Sequence, residues 1–309
     1  MLDAKVRYSA NGSTTCVTLD SDMLLEKVQD TSIAMLKAAT MAMSIRRPEV
    51  GACSADLAGA CIAYSGRDVP LTCAIGVGTS GAIDPKDIAA IEAFYESRTS
   101  PVRIAISGRT HPGVNSLLAG RGYKAGVPME NWWRPLSDIP GKAVPDNIQV
   151  RPATVDDAEV WVRTVAAGFE ESDVPVDDSK LSPRVLDTFY CFGFADGAQP
   201  FLVRRNGEVA GGGVLHVHGD TAHLRTTSCR FTHRCNGVQT ALLNVRMELA
   251  FKAGCRFVFS STEGIGASAR NLDRFGLKPL SISFLMSRPC GEYFSTCPEE
   301  SVAGGGQNK

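Results

Sequence analysis

The chain repeats itself. Gly122, Lys124, Arg134 and Pro135, in LLAGRGYKAGVPMENWWRPL, recur at one constant spacing as Gly276, Lys278, Arg288 and Pro289, in NLDRFGLKPLSISFLMSRP. That spacing is about half of the 309 residues, and similarity at a fixed period is how a duplicated unit reads in sequence. It also sets residues 101–107 (PVRIAIS) on 255–261 (CRFVFSS), two strand-like runs, and 85–97 on 239–251, two helical runs. Between the copies, residues 137–147 (SDIPGKAVPDN) gather the breakers expected of a boundary. The pattern predicts an α+β protein of two like domains, at 1–140 and 147–290. Each has a mixed, mostly antiparallel sheet flanked by helices. A flexible tail of small and polar residues is predicted at 291–309.

Net charge is −1, so the basic surface of a dedicated nucleic-acid binder is not expected. No apolar stretch approaches the ~20 residues of a membrane span, and the polar N-terminus lacks a secretion signal. The sequence reading is cytoplasmic. Ten cysteines occur without a CxxC pair, which predicts reduced, mostly structural thiols. A small molecule is the expected partner, with a homodimer as the other arrangement the sequence allows.

In the second half, 148–152 reads as an opening strand and Thr154–Asp157 as a helix start, followed by Ala158, Trp161, Val165 and Phe169 at helical spacing. Residues 201–205 and 208–217 flank Asn206-Gly207, a hairpin turn, and 221–229 form the next strand. Then RFTHRCNGVQTALL, residues 230–243, places Arg234 and Gly237 in a loop that runs into an apolar-striped helix. The free N–H groups and positive dipole end at such a start cradle phosphate, and glycine lets the ligand approach.

Arg234-x-x-Gly237-x-Gln239 resembles the pyrophosphate loop of the GNAT superfamily of acyl-CoA-dependent N-acyltransferases. The order of elements over 148–289 is similar too. Both halves are thus identified as GNAT-like domains in tandem, the first one degenerate, because Ser80 and Ile83 stand where Arg234 and Gly237 recur. The resemblance implies acetyl-CoA as cosubstrate. It would be held by Arg234, Gly237, Val238, Gln239 and Thr240, by the strand residues Thr227 and Cys229, and by Ser268 and Asn271. It further implies direct transfer of acetyl to the amine of a small metabolite. Glu170, Glu171 and His223 are the candidate bases, in an acceptor region formed by residues 169–173 and the strand carrying His223 and Arg225. Leu272 occupies the place where the family often has a tyrosine that protonates the departing thiolate, which leaves Ser268 or water.

Two other motifs carry less. Gly76-x-Gly78-x-x-Gly81 matches a dinucleotide fingerprint, but its third glycine precedes Asp84-Pro85, too early to pack a helix on a strand. His216, His218 and His223 lack acidic or thiol partners at ligand spacing, so no metal site is predicted. The competing functions are a GNAT-like transferase with another donor, such as aminoacyl-tRNA, and a non-catalytic small-ligand binder.

Overall fold

The duplicated halves are joined by an exchange of strands. The computed structural model describes residues 4–10, 13–138, 141–171, 174–264 and 266–290. The first half opens with the hairpin β1 (Ala4–Ala10) and β2 (Ser13–Leu19) and the helix α1 (Ser21–Arg46). It continues through β3 (Cys53–Leu57), β4 (Ala60–Tyr64), β5 (Cys73–Ile75), α2 (Pro85–Glu96), β6 (Val102–Ile106), α3 (Pro112–Gly120), β7 (Lys124–Ala125) and β8 (Met129–Pro135). The second half holds β9 (Ile148–Pro152), α4 (Ala158–Glu170), α5 (Pro183–Phe194), β10 (Ala198–Arg205), β11 (Glu208–His218) and β12 (Thr221–Cys229). It ends with α6 (Val238–Lys252), β13 (Phe257–Glu263), α7 (Ala267–Arg274) and β14 (Lys278–Arg288). The tail predicted at 291–309 lies outside the described residues, as do Ser172 and Asp173 of the acidic loop.

Twelve strands form one sheet in the order β3-β4-β5-β6-β14-β8-β13-β12-β11-β10-β9, with β7 on β14. Among the described residues, only β5–β6 and β12–β13 are parallel. The crossing lies in the middle. β8, the last strand of the first half, pairs with β13 of the second, while the outer part of β14, Phe284–Arg288, pairs with β6 of the first. Each half therefore lends the other its final strand. Sequence predicted two separate sheets. The repeated Arg-Pro strands close each other's sheets instead, which satisfies their ladders without leaving an edge.

α1 covers the seam. Asp20 accepts from the Asp22 N–H at 3.0 Å to start it, and Pro48 follows its end. No breaker occurs before Pro48, and the helix runs to Arg46. Its Leu24 packs with Trp133, Phe257 and Phe259, and Leu36 and Met43 pack with Cys61, Leu71 and Cys191. Burying side chains of this size contributes about 1.5–3 kcal/mol each.

α5 went unrecognised in sequence, although Ser182-Pro183 is a good cap and first turn; Ser182 accepts from the Val185 N–H at 3.4 Å. Arg46 and Arg47 both bind Asp187 of α5 at 2.6 Å. Trp132 and Trp133, successive strand residues, point to opposite faces and join different cores. Among the described residues no helix is long and apolar enough to cross a membrane.

Thus α1, α4 and α5 lie on one face of the second half's strands. α6 and α7 lie on the other, over Leu215, Leu224 and Val258.

Candidate active site

β12 and β13 pair only where Thr221–His223 meet Phe257–Phe259. Beyond this they part, with the Ser260 hydroxyl donating to the Leu224 carbonyl (2.7 Å) at the root of the gap. Such a gap offers strand backbone for a bound chain to pair with and a passage between the faces.

Beside the gap, β12 is bulged. The β11–β12 ladder pairs Gly212 with Ser228 and then Val214 with Arg225, so Thr226 and Thr227 together oppose Gly213. Thr226 has φ 50, an uncommon conformation for a β-branched residue. The fully buried Arg246 of α6 clamps the bulge. Its guanidinium donates to the carbonyls of Val214 (3.0 Å) and Arg225 (3.2 Å), to Thr227 Oγ1 (2.9 Å) and to Leu242 of its own helix (3.1 Å). A Cβ on Gly213 would stand 2.9 Å from a guanidinium nitrogen, and one on Gly211 2.4 Å from the Ser228 carbonyl oxygen. Sequence reasoning missed this device. Its signal was the Gly211-Gly212-Gly213 run, because consecutive glycines inside a strand mark a bulge or a close approach.

On the α6 side the gap opens into a cavity of about 630 Å³. Gly237 is the N-cap of α6, left-handed at φ 84, and gives the helix no side-chain cap. The N–H groups of Val238, Gln239 and Thr240 therefore have no intrahelical acceptor, and their residues line the cavity. Arg234 lines it too, while its guanidinium also donates to the carbonyls of Gly168 (3.2 Å), Glu171 and Cys229 (3.4 Å), which fastens the loop to the end of α4. Arg270 and Arg274, one turn apart on α7, add two cations that sequence reasoning did not select. Asn271 donates to Gln239 Oε1 and accepts from Arg274 at 3.1 Å; Ser268 accepts from Gln239 at 3.5 Å. Thr227, Ser228 and Cys229 form the wall toward the bulge. The Ser228 hydroxyl is buried and without a hydrogen-bond partner.

The matching helix of the first half is built differently. Asp84 caps α2 and accepts from the Lys86 N–H at 2.8 Å, so a carboxylate of the chain occupies the anion position of that helix start.

The candidate bases separate. Glu171 is buried and receives Arg230 Nε (2.9 Å), the Val176 N–H (3.2 Å) and the Phe231 N–H. It is corrected to a structural anchor, since its carboxylate is taken up in holding the loop. Glu170 is exposed at the end of α4. His223 lies on the α1 and α5 face, stacked on Phe259 at 4.0 Å, its buried Nδ1 without a partner. Burial pushes the Cys229 thiol up to about 11, so it offers no thiolate near neutral pH. Leu272 is buried in the core with α6.

Burial also lowers His216, the cross-strand neighbour of His223, to about 4, and lowers His223 well below its usual value. Both recover a pKa near 6.5 on unfolding. The unfolded chain then binds more protons than the folded one below that value, so this contribution to stability is present above pH ~6.5 and is lost toward pH ~4. Urea midpoints should fall between pH ~7.5 and ~5, and His223→Phe should flatten the fall. An unchanged slope in that variant would remove His223 from the effect.

Residues 167–276 match the family model described as acetyltransferase (GNAT) family. Solved structures with the same architecture include a GCN5-related N-acetyltransferase from Kribbella flavida. It is 13% identical, with a TM-score of 0.59, over 83% of this chain and 97% of that one. A tandem GNAT protein from the clavulanic acid biosynthesis pathway is 14% identical, with a TM-score of 0.55, over 86% and 96%. A functionally unknown conserved protein from Staphylococcus epidermidis is 8% identical, with a TM-score of 0.57, over 78% and 95%. No curated protein matches the chain. Residues 167–276 thus match the GNAT family model, and the chain shares its fold with solved GCN5-related N-acetyltransferases, one of them a tandem protein.

Proposed function

We propose that the protein is an N-acetyltransferase that moves acetyl from acetyl-CoA to an amine of a small metabolite, by direct attack on the thioester. The observation that carries this is the cavity at the uncapped start of α6, ringed by Arg234, Arg270 and Arg274 and continuous with the bulged edge of β12. The fit to a coenzyme A thioester rests on that cradle and on the unpartnered Ser228 hydroxyl at its inner end. When bound, acetyl-CoA supplies an activated acyl carbonyl.

The chain's own groups do the rest. The N–H groups of Val238, Gln239 and Thr240 and the three guanidinia hold the pyrophosphate. β12 from Thr227 to Cys229 offers backbone for the pantetheine arm to pair with. The bulge, held by Arg246, turns its N–H groups toward the gap, where they stabilise negative charge developing on the acyl oxygen. His223, neutral because it is buried, takes the amine proton directly or through water. Among the described residues no tyrosine lines the cavity, so Ser268 or water serves to protonate the thiolate, and the rate depends mainly on positioning.

Titration calorimetry tests the donor assignment. One coenzyme A per chain is expected, because the α2 start carries Asp84 where the α6 start is open. Two equivalent sites, or none, would overturn it.

A further inference from the structure

On the face of the sheet opposite the coenzyme cavity, we propose that Arg225 binds a carboxylate carried by the acceptor, so that the substrate is a small amino acid-like amine. The inference rests on the acyltransferase reading and names the substrate class of the same site.

Two arginines approach the bulge from opposite faces, and they are treated differently. Arg246 is surrounded by oxygen atoms that absorb its donors. Arg225 pairs with Val214 and projects toward α5, where its guanidinium lies over the Phe192 ring at 4.4 Å. Among the described residues it has no carboxylate partner within 4.0 Å and no side-chain hydrogen bond. Asp187 of α5 binds Arg46 and Arg47, Glu171 binds Arg230 and Asp220 binds Lys27.

Arg225 is part-buried; a guanidinium withdrawn from water without a counter-charge is costly, and proteins pair such groups. An anionic ligand supplies the missing partner. A second polar atom on the same face is also unmatched among the described residues: Nδ1 of His223, which is 8% exposed, has no partner there. His223 and Arg225 are alternate residues of one strand, so they share a face.

The location fits the acceptor. His223 is the last residue of β12 paired to β13, and Arg225 stands where the gap begins. Two residues further along is Thr227, at the wall of the coenzyme cavity, less than about 7 Å of strand away. An acceptor held by its carboxylate at Arg225 is thus compact, with its amine reaching through the gap toward the thioester. The charge count favours a monoanion. His216 and His223 are held neutral by burial, which leaves one unmatched positive group, and a guanidinium fork matches one carboxylate.

The test is thermal denaturation with coenzyme A at saturation, so that the phosphate cradle is filled, using benzoate and succinate against benzamide and succinamide. At least one acid should raise the Tm of the wild type while its amide does not, and the shift should vanish in Arg225→Gln and return in part in Arg225→Lys. Arg225→Met should raise the Tm of the ligand-free protein, because it removes an uncompensated charge; a purely structural arginine would lower it. The proposal is overturned if amides act as acids do, if no acid shifts the Tm, if Arg225→Gln responds like the wild type, or if Arg225→Met is destabilised. Coenzyme A titration without the acids is read separately. Its failure would strike the donor assignment, while a carboxylate response dependent on Arg225 would still stand.

Discussion

Replacing Arg246 with methionine is expected to lower kcat about a hundredfold while the KM for acetyl-CoA moves by less than about threefold. Methionine fills much of the same volume but cannot donate to Val214 O, Arg225 O and Thr227 Oγ1, the bonds that fix the bulge. Loss of one oxyanion donor typically costs ~10²–10³ in rate, and a bulge that relaxes re-aims its N–H groups. The carbonyls left behind cost about 1–3 kcal/mol each, so the Tm should fall as well. Gly213→Ala should act through the same contact, since its Cβ would stand 2.9 Å from the guanidinium. The two changes together should cost much less than their sum. Steady-state kinetics decides the matter: a lowered Tm with kcat intact would make the clamp a matter of stability alone.

Gly237→Val is expected to raise the KM for acetyl-CoA by about a hundredfold or more, through the backbone. A Cβ at this position meets only ordinary contacts, Ile148 Cδ1 at 3.4 Å and Pro145 Cγ at 3.6 Å. The left-handed φ of 84 is what valine resists. Regaining a favourable φ would swing the first turn of α6 and turn the N–H groups of Val238, Gln239 and Thr240 away from the cavity. Asparagine tolerates this region, so Gly237→Asn should retain much of the affinity. Equal losses for Val and Asn would show that bulk, not conformation, governs the site.

Much of the fold was legible because its strongest signals are local. The Asn206-Gly207 turn, the Gly237 start of α6 and the repeated Gly-Lys…Arg-Pro segments each leave a mark on a few neighbouring residues. The exchange of β8 and β14 leaves none: a strand's pattern specifies a buried face, not which neighbour supplies the ladder. The residues of the proposed donor side stand out in sequence for the same reason, since Arg234, Gly237 and Gln239 lie in one short segment. Arg270 and Arg274 join them only through the placing of α7. Arg246 looks in sequence like a charged residue on an amphipathic helix. Its role depends on a bulge in another strand, and that depends in turn on three glycines in a third element. The anchoring of Glu171 left no mark for a related reason: its partner Arg230 is distant along the chain, so nothing local announces that its carboxylate is buried and bonded.

The exchanged strands also give the first half a role that needs no ligand of its own. β13, which flanks the gap, is paired on its far side by β8, encoded in the first half. Deleting the first half would therefore leave the active sheet ending at β13, with an open edge beside the reactive groups. The first half thus acts on the second as a splint, lending the strand that holds one wall of the gap in place.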